Sequence, residues 1–395
     1  MLSPHPSNVD IPFLFNDFHD PLSVHLCEFA QKWTTPTKDD WISTTIAVQE
    51  LSKAQVSHLC IPETYGGKPV NQPFDVDTRS LTLARECLAW SDGLLDTAFA
   101  MQGLGSYPIS IFGDEDQKAR YLPGFLNGER IGAFALTEPQ AGSDLKSLKM
   151  KARYDETTGD YILHGTKTFI SNAGVATQYI IFADTSPRRK KSVLTAFIVE
   201  PTDPGVKIEP FEVMAPHPIG TLNLWQCRIP KARRLGAEGD GLKIALKTLG
   251  TFRLSVAGAA LGMARRALDE ALQFSLSRKL GDGVLFDQQQ ISASLADCAT
   301  ELDAARLIVY RAGHTRDTFG EESRKEVAMA KLFATETAQR IIDRCLQIHG
   351  GLGIKRGEVL ERLYREVRAL RIYEGASEVQ RNIISREMKN EAEND

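Results

Sequence analysis

The spacing of apolar residues changes twice along this chain of 395 residues, and the two changes limit the folds that it can adopt. Between residues 20 and 129 apolar side chains recur every three or four positions, with breaks at Pro62 and Pro123, which predicts a helical region. Over residues 131–230 the apolar segments are short and rich in β-branched and aromatic residues, which predicts strands. After residue 239 the helical spacing returns and holds to the end.

This α, β, α order predicts an α+β protein, and the length suggests two or three folding units. We expect an all-α N-terminal domain over residues 1–130 and a middle β-barrel or β-sandwich domain over residues 131–238. An antiparallel bundle of long helices is expected over residues 239–395.

Individual elements can be located from the same spacing. Strands are predicted at four apolar segments, 161–163, 179–182, 194–199 and 222–225. Long helices are predicted at 242–277, 286–318 and 323–348. A cluster of turn-forming residues at 155–160 predicts a turn, and small residues at 259–264 predict a place where two helices approach closely.

Composition and charge indicate an ordinary soluble globular protein. Charged residues make up 25% of the chain and hydrophobic residues 42%, and the net charge is −4. This charge gives no reason to expect nucleic acid or an anionic membrane as a partner, and the basic run at 188–191 is interpreted as a solvated loop. No apolar run approaches the roughly 20 residues that span a bilayer, so no membrane association is expected.

The six cysteines are scattered, and the sequence contains neither a Cys-x-x-Cys pair nor a histidine cluster with the spacing of metal ligands. We therefore expect reduced, packed thiols and no metal site. The N-terminal residues lack the pattern of a signal or transit peptide. Together these features predict a cytoplasmic protein.

Glu374 is the most conspicuous candidate for a catalytic residue. It lies in the segment RIYEGA at 371–376, between an apolar and aromatic pair and two small residues. Burial in such a setting raises the pKa of a carboxylate, as a general base requires, and Gly375 lets the backbone approach a ligand closely. The alternative is an acidic residue at the start of a helix, because an amphipathic segment begins near Ser377.

The motifs of nicotinamide-binding, phosphoryl-transfer and serine-hydrolase proteins are absent from the sequence. Three other segments rich in Gly, Ser, Thr or aromatic residues remain, namely LTEPQAGSD at 136–144, GTKTFISN at 165–172 and QIHGG at 347–351. Each has a structural alternative: a capped turn, a strand with a core phenylalanine and a helix stop, respectively. His349 in the last segment fits a helix C-terminus or a packed residue as well as a catalyst.

Taken together and in this order, these segments resemble the acyl-CoA dehydrogenase family of flavoproteins. The matching segments are IPETYGG at 61–67, LTEPQAGSD at 136–144, GTKTFISN at 165–172, Arg278 with Lys279, QIHGG at 347–351 and YEGASEVQ at 373–380. The resemblance covers about residues 20–390 and agrees with the α, β, α order.

The resemblance implies FAD as cofactor, acyl-CoA as substrate, an electron-transfer flavoprotein as electron acceptor, and a homo-oligomer, either a tetramer or a dimer. It implies that Leu136 and Thr137 meet the polar edge of the flavin, that Phe169 lies against its rings and that Ser171 hydrogen-bonds near N5. The full set of implied cofactor-binding residues is Phe134, Leu136, Thr137, Ser143, Phe169, Ser171, Arg278, Gln289, Gln347, Gly351, Ala376 and Glu378. Arg278 and the 347–351 segment are implied to reach the FAD of a neighbouring subunit.

The same resemblance implies that Glu374 removes the α-proton of an acyl thioester while flavin N5 accepts the β-hydrogen as hydride, giving a trans-2-enoyl thioester. Ser143, Arg253 and Gly375 are implied to bind substrate. Some members carry the base on the first bundle helix instead, immediately before the residue that matches Arg253, but that position is Phe252 here. Two alternatives stay open: a thioester oxidase or reductase on the same scaffold, and a catalytically idle flavoprotein that acts as a binding module.

Three segments depart from the family pattern. Gly250 stands where an aspartate often contacts the CoA portion of the substrate, and LGD at 280–282 replaces a common Thr-Phe-Gly. The segment 214–220 replaces a turn that usually contains arginine and serine.

Overall fold

The computed structural model describes residues 2–68, 75–186 and 192–394, without the side chains of residues 321 and 322. The basic run at 188–191 lies outside these residues. The helices are α1 (Ser7–Asp10), α2 (His19–Lys32), α3 (Asp40–Lys53), α4 (Thr78–Ser91), α5 (Gly93–Phe112), α6 (Glu115–Leu126), α7 (Gly241–Ser277), α8 (Gln289–Phe319), α9 (Arg324–His349), α10 (Val359–Leu370) and α11 (Ser377–Asn394).

All the longer strands follow α6 and precede α7. The strands are β1 (Gly132–Ala135), β2 (Lys151–Asp155), β3 (Asp160–Ser171), β4 (Gln178–Asp184), β5 (Leu194–Val199), β6 (Val206–Pro210), β7 (Ile219–Pro230), β8 (Arg234–Leu235), β9 (Lys279–Leu280) and β10 (Gly283–Val284). The prediction of a helical N-terminal domain, a middle β domain and a helical C-terminal domain is confirmed.

Aspartate side chains fix the start of three helices. Asp39 accepts hydrogen bonds from two backbone N–H groups at the start of α3, and Asp77 accepts one at the start of α4. Asp114 and Gln117 form a reciprocal capping box at the start of α6. These side chains satisfy backbone donors that have no partner within the helix.

Backbone contacts divide the chain into two compact units, each built from segments that are distant in sequence. The helical unit contains Met1–Thr34, Asp77–Asp96 and Arg253–Asp395, and the sheet unit contains Thr35–Val76 and Thr97–Phe252. The domain boundaries at residues 130 and 238 stay a prediction.

In the helical unit, α9 packs against α8, α10 and α11, and α4 packs against α2 and α8. The side chains of α4 and α8 pair inside this unit: Arg79 Nε lies 2.8 Å from Asp317 Oδ2, and Tyr310 donates to Glu86 Oε2 over 2.5 Å. The α7 backbone also approaches α4 closely, because a Cβ added at Gly262 would lie 2.0 Å from Glu86 O. The predicted close helix approach is thus confirmed.

In the sheet unit, eight strands form one sheet in the order β6-β7-β3-β2-β4-β5-β8, with β1 parallel to β4. The predicted turn at 155–160 joins β2 to β3 as an antiparallel hairpin. Both sides of β4 and β5 are buried, and their apolar residues form a core with residues of α5 and α6.

Helix α7 is long and apolar enough by composition to cross a membrane, although no such segment was predicted from the sequence. However, 72% of its most apolar stretch is buried inside the protein, as in the core helix of a soluble protein. All six cysteines are free thiols, five of them buried and Cys27 half-buried.

Candidate active site

Glu374 lies in an irregular turn between α10 and α11. Its φ of 50° and that of Gly375 at 94° are both left-handed, a conformation that is strained for glutamate and easy for glycine. A Cβ added at Gly375 would lie 2.5 Å from Gln380 Nε2, so only glycine fits there without a shift. Because α11 begins at Ser377 and has Glu378 as its first-turn acid, Glu374 is not part of the helix.

Three side chains hold this turn through its backbone carbonyls. Lys331 Nζ donates to Tyr373 O over 3.1 Å and to Gly375 O over 2.8 Å. Arg253 Nε donates to Glu374 O over 3.1 Å, and Gln380 Nε2 donates to Gly375 O over 2.7 Å. The unusual backbone conformation is therefore fixed by surrounding structure, as strained functional segments require.

The Glu374 carboxylate is buried, and one of its oxygens is unpaired. Its side chain is 7% exposed, and Oε1 lies 3.9 Å from Arg85 Nη1. Within the described part of the chain, Oε2 has no hydrogen-bond partner. Burial raises the pKa of Glu374, and the charges of Arg85, Lys331 and Arg253 oppose that rise without cancelling it.

Asp96 holds Arg85 in place. Arg85 Nε and Nη2 donate to the two carboxylate oxygens of Asp96 over 2.8 and 2.7 Å, a bidentate pair with both side chains 1% exposed. The guanidinium is thus largely committed to Asp96 and only approaches Glu374 at ion-pair distance.

Arg85, Asp96 and Lys331 were not predicted from the sequence. A weak signal was present, because Arg85 and Lys331 interrupt apolar helical faces and are fully or almost fully buried. A buried cation requires a partner, which can come from a distant part of the chain. The positions of Arg85 and Lys331 in the sequence do not show that Glu374 lies near them.

In the sheet unit, the segments at 136–144 and 165–172 come together. Thr168 N–H donates to Thr137 O over 3.0 Å. The buried Lys167 Nζ donates to Leu136 O over 3.0 Å and to Glu138 Oε1 over 2.8 Å. Glu138 also accepts two backbone N–H groups from residues 149 and 150. The Lys167–Glu138 pair, which was not predicted from the sequence, therefore ties the two segments to each other.

Phe169 presents an exposed ring at an irregularity of β3. The pairing of β3 with β7 shifts between Lys167 and Ile170, and Phe169 has a φ of 54°. Its side chain is 62% exposed, and the ring meets Phe211 edge-on at 5.2 Å. A bulge of this kind re-aims a side chain, here exposing a flat aromatic face close in sequence to the Ser171 hydroxyl. These residues fit a planar cofactor with hydrogen-bonding edges, such as a flavin.

The remaining predicted site residues have varied environments. Phe134 is half-buried against Phe182, with 5.0 Å between ring centroids, so its ring packs on the core of the sheet unit. Ser143 is exposed in the loop after β1. In the helical unit the exposed residues are Arg278, Gln289, Gln347, Gly351 and Glu378, and the half-buried ones are Ala376 and Arg253. Their roles in binding cofactor or substrate stay predictions.

The structure accounts for two features noted in the sequence, His349 and the LGD segment at 280–282. His349 ends α9, and its ring stacks on Phe274 at 4.3 Å while Nδ1 lies 2.9 Å from Cys345 O, so it is a packed residue at a helix C-terminus. The LGD departure at 280–282 lies at the β9–β10 hairpin, where Gly281 takes a left-handed φ of 58°.

Family models match nearly the whole chain. The N-terminal domain of acyl-CoA dehydrogenase matches residues 19–129, the middle domain residues 133–227 and the C-terminal domain residues 239–389.

Curated relatives support the same family. An acyl-CoA dehydrogenase of Bacillus subtilis is 36% identical over 367 residues, which cover 91% of this chain and 94% of that protein. A 3-(aryl)acrylate reductase of Clostridium sporogenes is 35% identical over 380 residues, covering 94% and 98%. The CarC subunit of the caffeyl-CoA reductase-Etf complex of Acetobacterium woodii is 35% identical over 347 residues, covering 86% and 88%.

Solved structures share the fold. Butyryl-CoA dehydrogenase of Megasphaera elsdenii superposes with a TM-score of 0.86 at 32% identity, covering 95% of this chain and 98% of that one. An acyl-CoA dehydrogenase of Bacillus anthracis, solved with FAD, has a TM-score of 0.85 at 29% identity, covering 96% and 68%. This chain therefore belongs to the acyl-CoA dehydrogenase family of FAD-dependent oxidoreductases.

Proposed function

We propose that this enzyme oxidises a saturated acyl-CoA thioester to the trans-2-enoyl-CoA, with Glu374 as the base that removes the α-proton. One observation carries the proposal: the Glu374 carboxylate is buried, lies in a left-handed turn and has one oxygen without a hydrogen-bond partner among the described residues. An unpaired buried carboxylate oxygen is costly for stability, so its retention points to a function.

The surroundings of Glu374 suit proton abstraction. A carboxylate with an ordinary pKa is too weak a base to remove a carbon-bound proton efficiently, and burial raises its basicity. The charges of Arg85, Lys331 and Arg253 limit the rise, because each of them favours the ionised form of the carboxylate. Oε2 is the oxygen free to receive the proton, because Oε1 faces Arg85.

Two groups of residues are assigned to the cofactor. Leu136, Thr137, Phe169 and Ser171 are the residues that we assign to the flavin rings, supported by the exposed Phe169 face. The other cofactor contacts are assigned to Phe134, Ser143, Arg278, Gln289, Gln347, Gly351, Ala376 and Glu378. Bound FAD supplies the two-electron acceptor for the β-hydrogen of the substrate.

Open space at the glycines supports part of this assignment. A Cβ added at Gly351 would meet no atom of the described chain within 4 Å, so packing does not explain this glycine. A glycine at position 351 is explained if a ligand approaches the backbone closely there. We assign the 347–351 segment and Arg278 to the FAD of a neighbouring subunit in a homodimer or homotetramer.

For the substrate we assign Ser143, Arg253 and Gly375. Arg253 acts through the turn that carries Glu374, because its Nε donates a hydrogen bond to Glu374 O. The expected electron acceptor is an electron-transfer flavoprotein, supported by the Etf complex named for the CarC relative. We infer a cytoplasmic enzyme from the scattered free thiols.

The reverse direction is a second candidate, because two of the relatives described above are named as reductases. The same carboxylate then returns a proton to the α-carbon of an unsaturated substrate. The chemistry at Glu374 is the same in both directions, and only the electron donor or acceptor differs.

Anaerobic titration of the FAD-loaded protein tests the proposal. Straight, branched and cyclic acyl-CoAs are added in turn while the visible absorption band of the flavin is recorded. We expect at least one saturated thioester to bleach the band. If none does, but an unsaturated thioester or free aryl acrylate reoxidises the chemically reduced protein, the reductase direction replaces the dehydrogenase direction. Failure of both sets of compounds would exclude acyl substrates of either kind.

A further inference from the structure

His217 lies in the loop between β6 and β7, within the segment 214–220 that departs from the family pattern. Its Nε2 lies 3.2 Å from Ser171 Oγ, and its Nδ1 lies 3.1 Å from the carbonyl oxygen of Ala215. Ser171 ends β3 and pairs in register with Ile219 of β7. The loop thus places the His217 imidazole within hydrogen-bond distance of the Ser171 hydroxyl, which we assign to the flavin.

The Ala215 carbonyl decides which ring nitrogen carries the proton. A carbonyl oxygen only accepts hydrogen bonds, so His217 Nδ1 must be the donor. In a neutral imidazole the other nitrogen, Nε2, is then an acceptor. Ser171 Oγ must therefore donate its only proton to His217 Nε2.

The neutral form of His217 is the one expected at neutral pH. Burial lowers the pKa of His217, and the hydrogen bond to the Ala215 carbonyl opposes that effect only in part. With its proton committed to His217, the Ser171 oxygen has only lone pairs left for any other group.

The two redox forms of a flavin differ at N5. Oxidised flavin offers a lone pair there, and two-electron reduction adds an N–H group. An oxygen that can only accept hydrogen bonds pairs with the N–H of the reduced form and not with the lone pair of the oxidised form.

We propose that His217 is a positioning residue that holds Ser171 as a hydrogen-bond acceptor toward flavin N5, and thereby favours the reduced cofactor. This inference rests on the proposed function, which assigns Ser171 to N5. Without the imidazole, the Ser171 hydroxyl can turn and donate to the lone pair of the oxidised form.

The reduction potential of the bound flavin tests this, measured by equilibration with reference dyes in the absence of any acyl compound. We expect His217→Leu to shift the equilibrium about tenfold toward oxidised flavin, which is about 30 mV for a two-electron couple. In a Ser171→Ala background the same substitution should have no effect. His164→Leu is the matched control, because His164 is an exposed histidine of β3 that contacts Trp225, and it should leave the potential unchanged.

An unchanged potential in His217→Leu, or an equal shift with and without Ser171, would overturn the inference. If His217→Leu does not retain FAD, the potential of His217→Gln is measured instead, because the glutamine amide can either donate or accept a hydrogen bond. A smaller shift toward oxidised flavin in His217→Gln supports the inference, and an unchanged potential contradicts it. Dye equilibration needs no substrate, so its result is independent of the acyl-CoA titration. A wild-type protein that no acyl compound reduces would refute the proposed function while leaving this comparison measurable.

Discussion

Two opposing influences set the pKa of the Glu374 carboxylate. Burial raises its pKa, while Arg85, Lys331 and Arg253 lower it, and burial is the larger effect. The N-terminus of α11, which begins three residues later, also favours the charged form. The Glu374 carboxylate is therefore a stronger base than an exposed glutamate, as the proposed role requires.

Lys331 offers a way to change this balance. Lys331→Met removes a positive charge, so the pKa of Glu374 should rise further and the acid limb of the kcat/KM profile should move to higher pH. The sign follows because only the ionised carboxylate accepts the α-proton. Lys331→Arg keeps the charge and should leave the acid limb close to that of the wild type. An acid limb that stays in place in Lys331→Met, or moves to lower pH, would show that Lys331 does not act on the base electrostatically.

At the residue scale the sequence predicted the candidate base, Glu374, but not its surroundings. Glu374 stands out because of its neighbours along the chain. Arg85, which is held by Asp96, approaches Glu374 only through the packing of separate helices, and no local sequence pattern encodes that contact. The left-handed φ of Glu374 is likewise fixed by Lys331 and Arg253 from other helices.

At the scale of elements, one buried ion pair ties together the two segments of the sheet unit that we assign to the flavin, 136–144 and 165–172. Lys167 is fully buried and Glu138 is 4% exposed, with 2.8 Å between Nζ and Oε1. Burial lowers the pKa of Lys167 to about 8. Burial alone would raise the pKa of Glu138, but Lys167 and two backbone N–H groups outweigh it, so that pKa is lowered.

Lys167→Met should destabilise the protein by about 3–5 kcal/mol, because it leaves the Glu138 carboxylate buried without its counter-ion. The loss is measured by denaturant unfolding of the wild type and the variant at the same pH. Adding Glu138→Gln to Lys167→Met removes the uncompensated charge and should restore part of the stability. A double variant less stable than Lys167→Met would contradict this account of the pair.

Element positions were predicted well where the apolar spacing was regular. The helix predicted at 242–277 is Gly241–Ser277, and the strand predicted at 194–199 is Leu194–Val199. The irregularity at Phe169 was not predictable, because it arises from how β3 pairs with β7 rather than from the sequence of β3 alone. The helix α7 was predicted, but its apolar length was underestimated.

At the scale of the whole molecule, each unit combines distant segments. Residues 77–96 group with the residues after 253 through buried pairs such as Arg79 with Asp317. Local sequence patterns predict consecutive domains and do not encode such pairing between distant segments. The α, β, α order was recognisable because it depends only on local spacing.

Arg278 tests the assigned contribution of a neighbouring subunit. This residue is exposed, and Arg278→Ala should leave the free energy of unfolding of the FAD-free protein within about 0.5 kcal/mol of the wild-type value. We expect the affinity of the Arg278→Ala protein for FAD to fall about ten- to a hundredfold, because the variant loses a charge-assisted hydrogen bond to a phosphate of FAD. Fluorescence titration of the FAD-free protein measures the affinity, and sedimentation reports the oligomer. Arg386→Ala, another exposed arginine, is the control. Wild-type affinity in Arg278→Ala would remove this residue from the cofactor site.

Exchange of the substrate α-proton with solvent deuterium tests the central claim, that Glu374 is the base. The FAD-loaded protein is incubated in D2O with an acyl thioester that binds but cannot lose a β-hydrogen, and deuterium at the α-carbon is followed by mass spectrometry. We predict exchange with the wild type and a decrease of at least about a hundredfold with Glu374→Gln, which should still bind FAD and the thioester. Exchange at the wild-type rate in Glu374→Gln would contradict the account and assign the base to another residue.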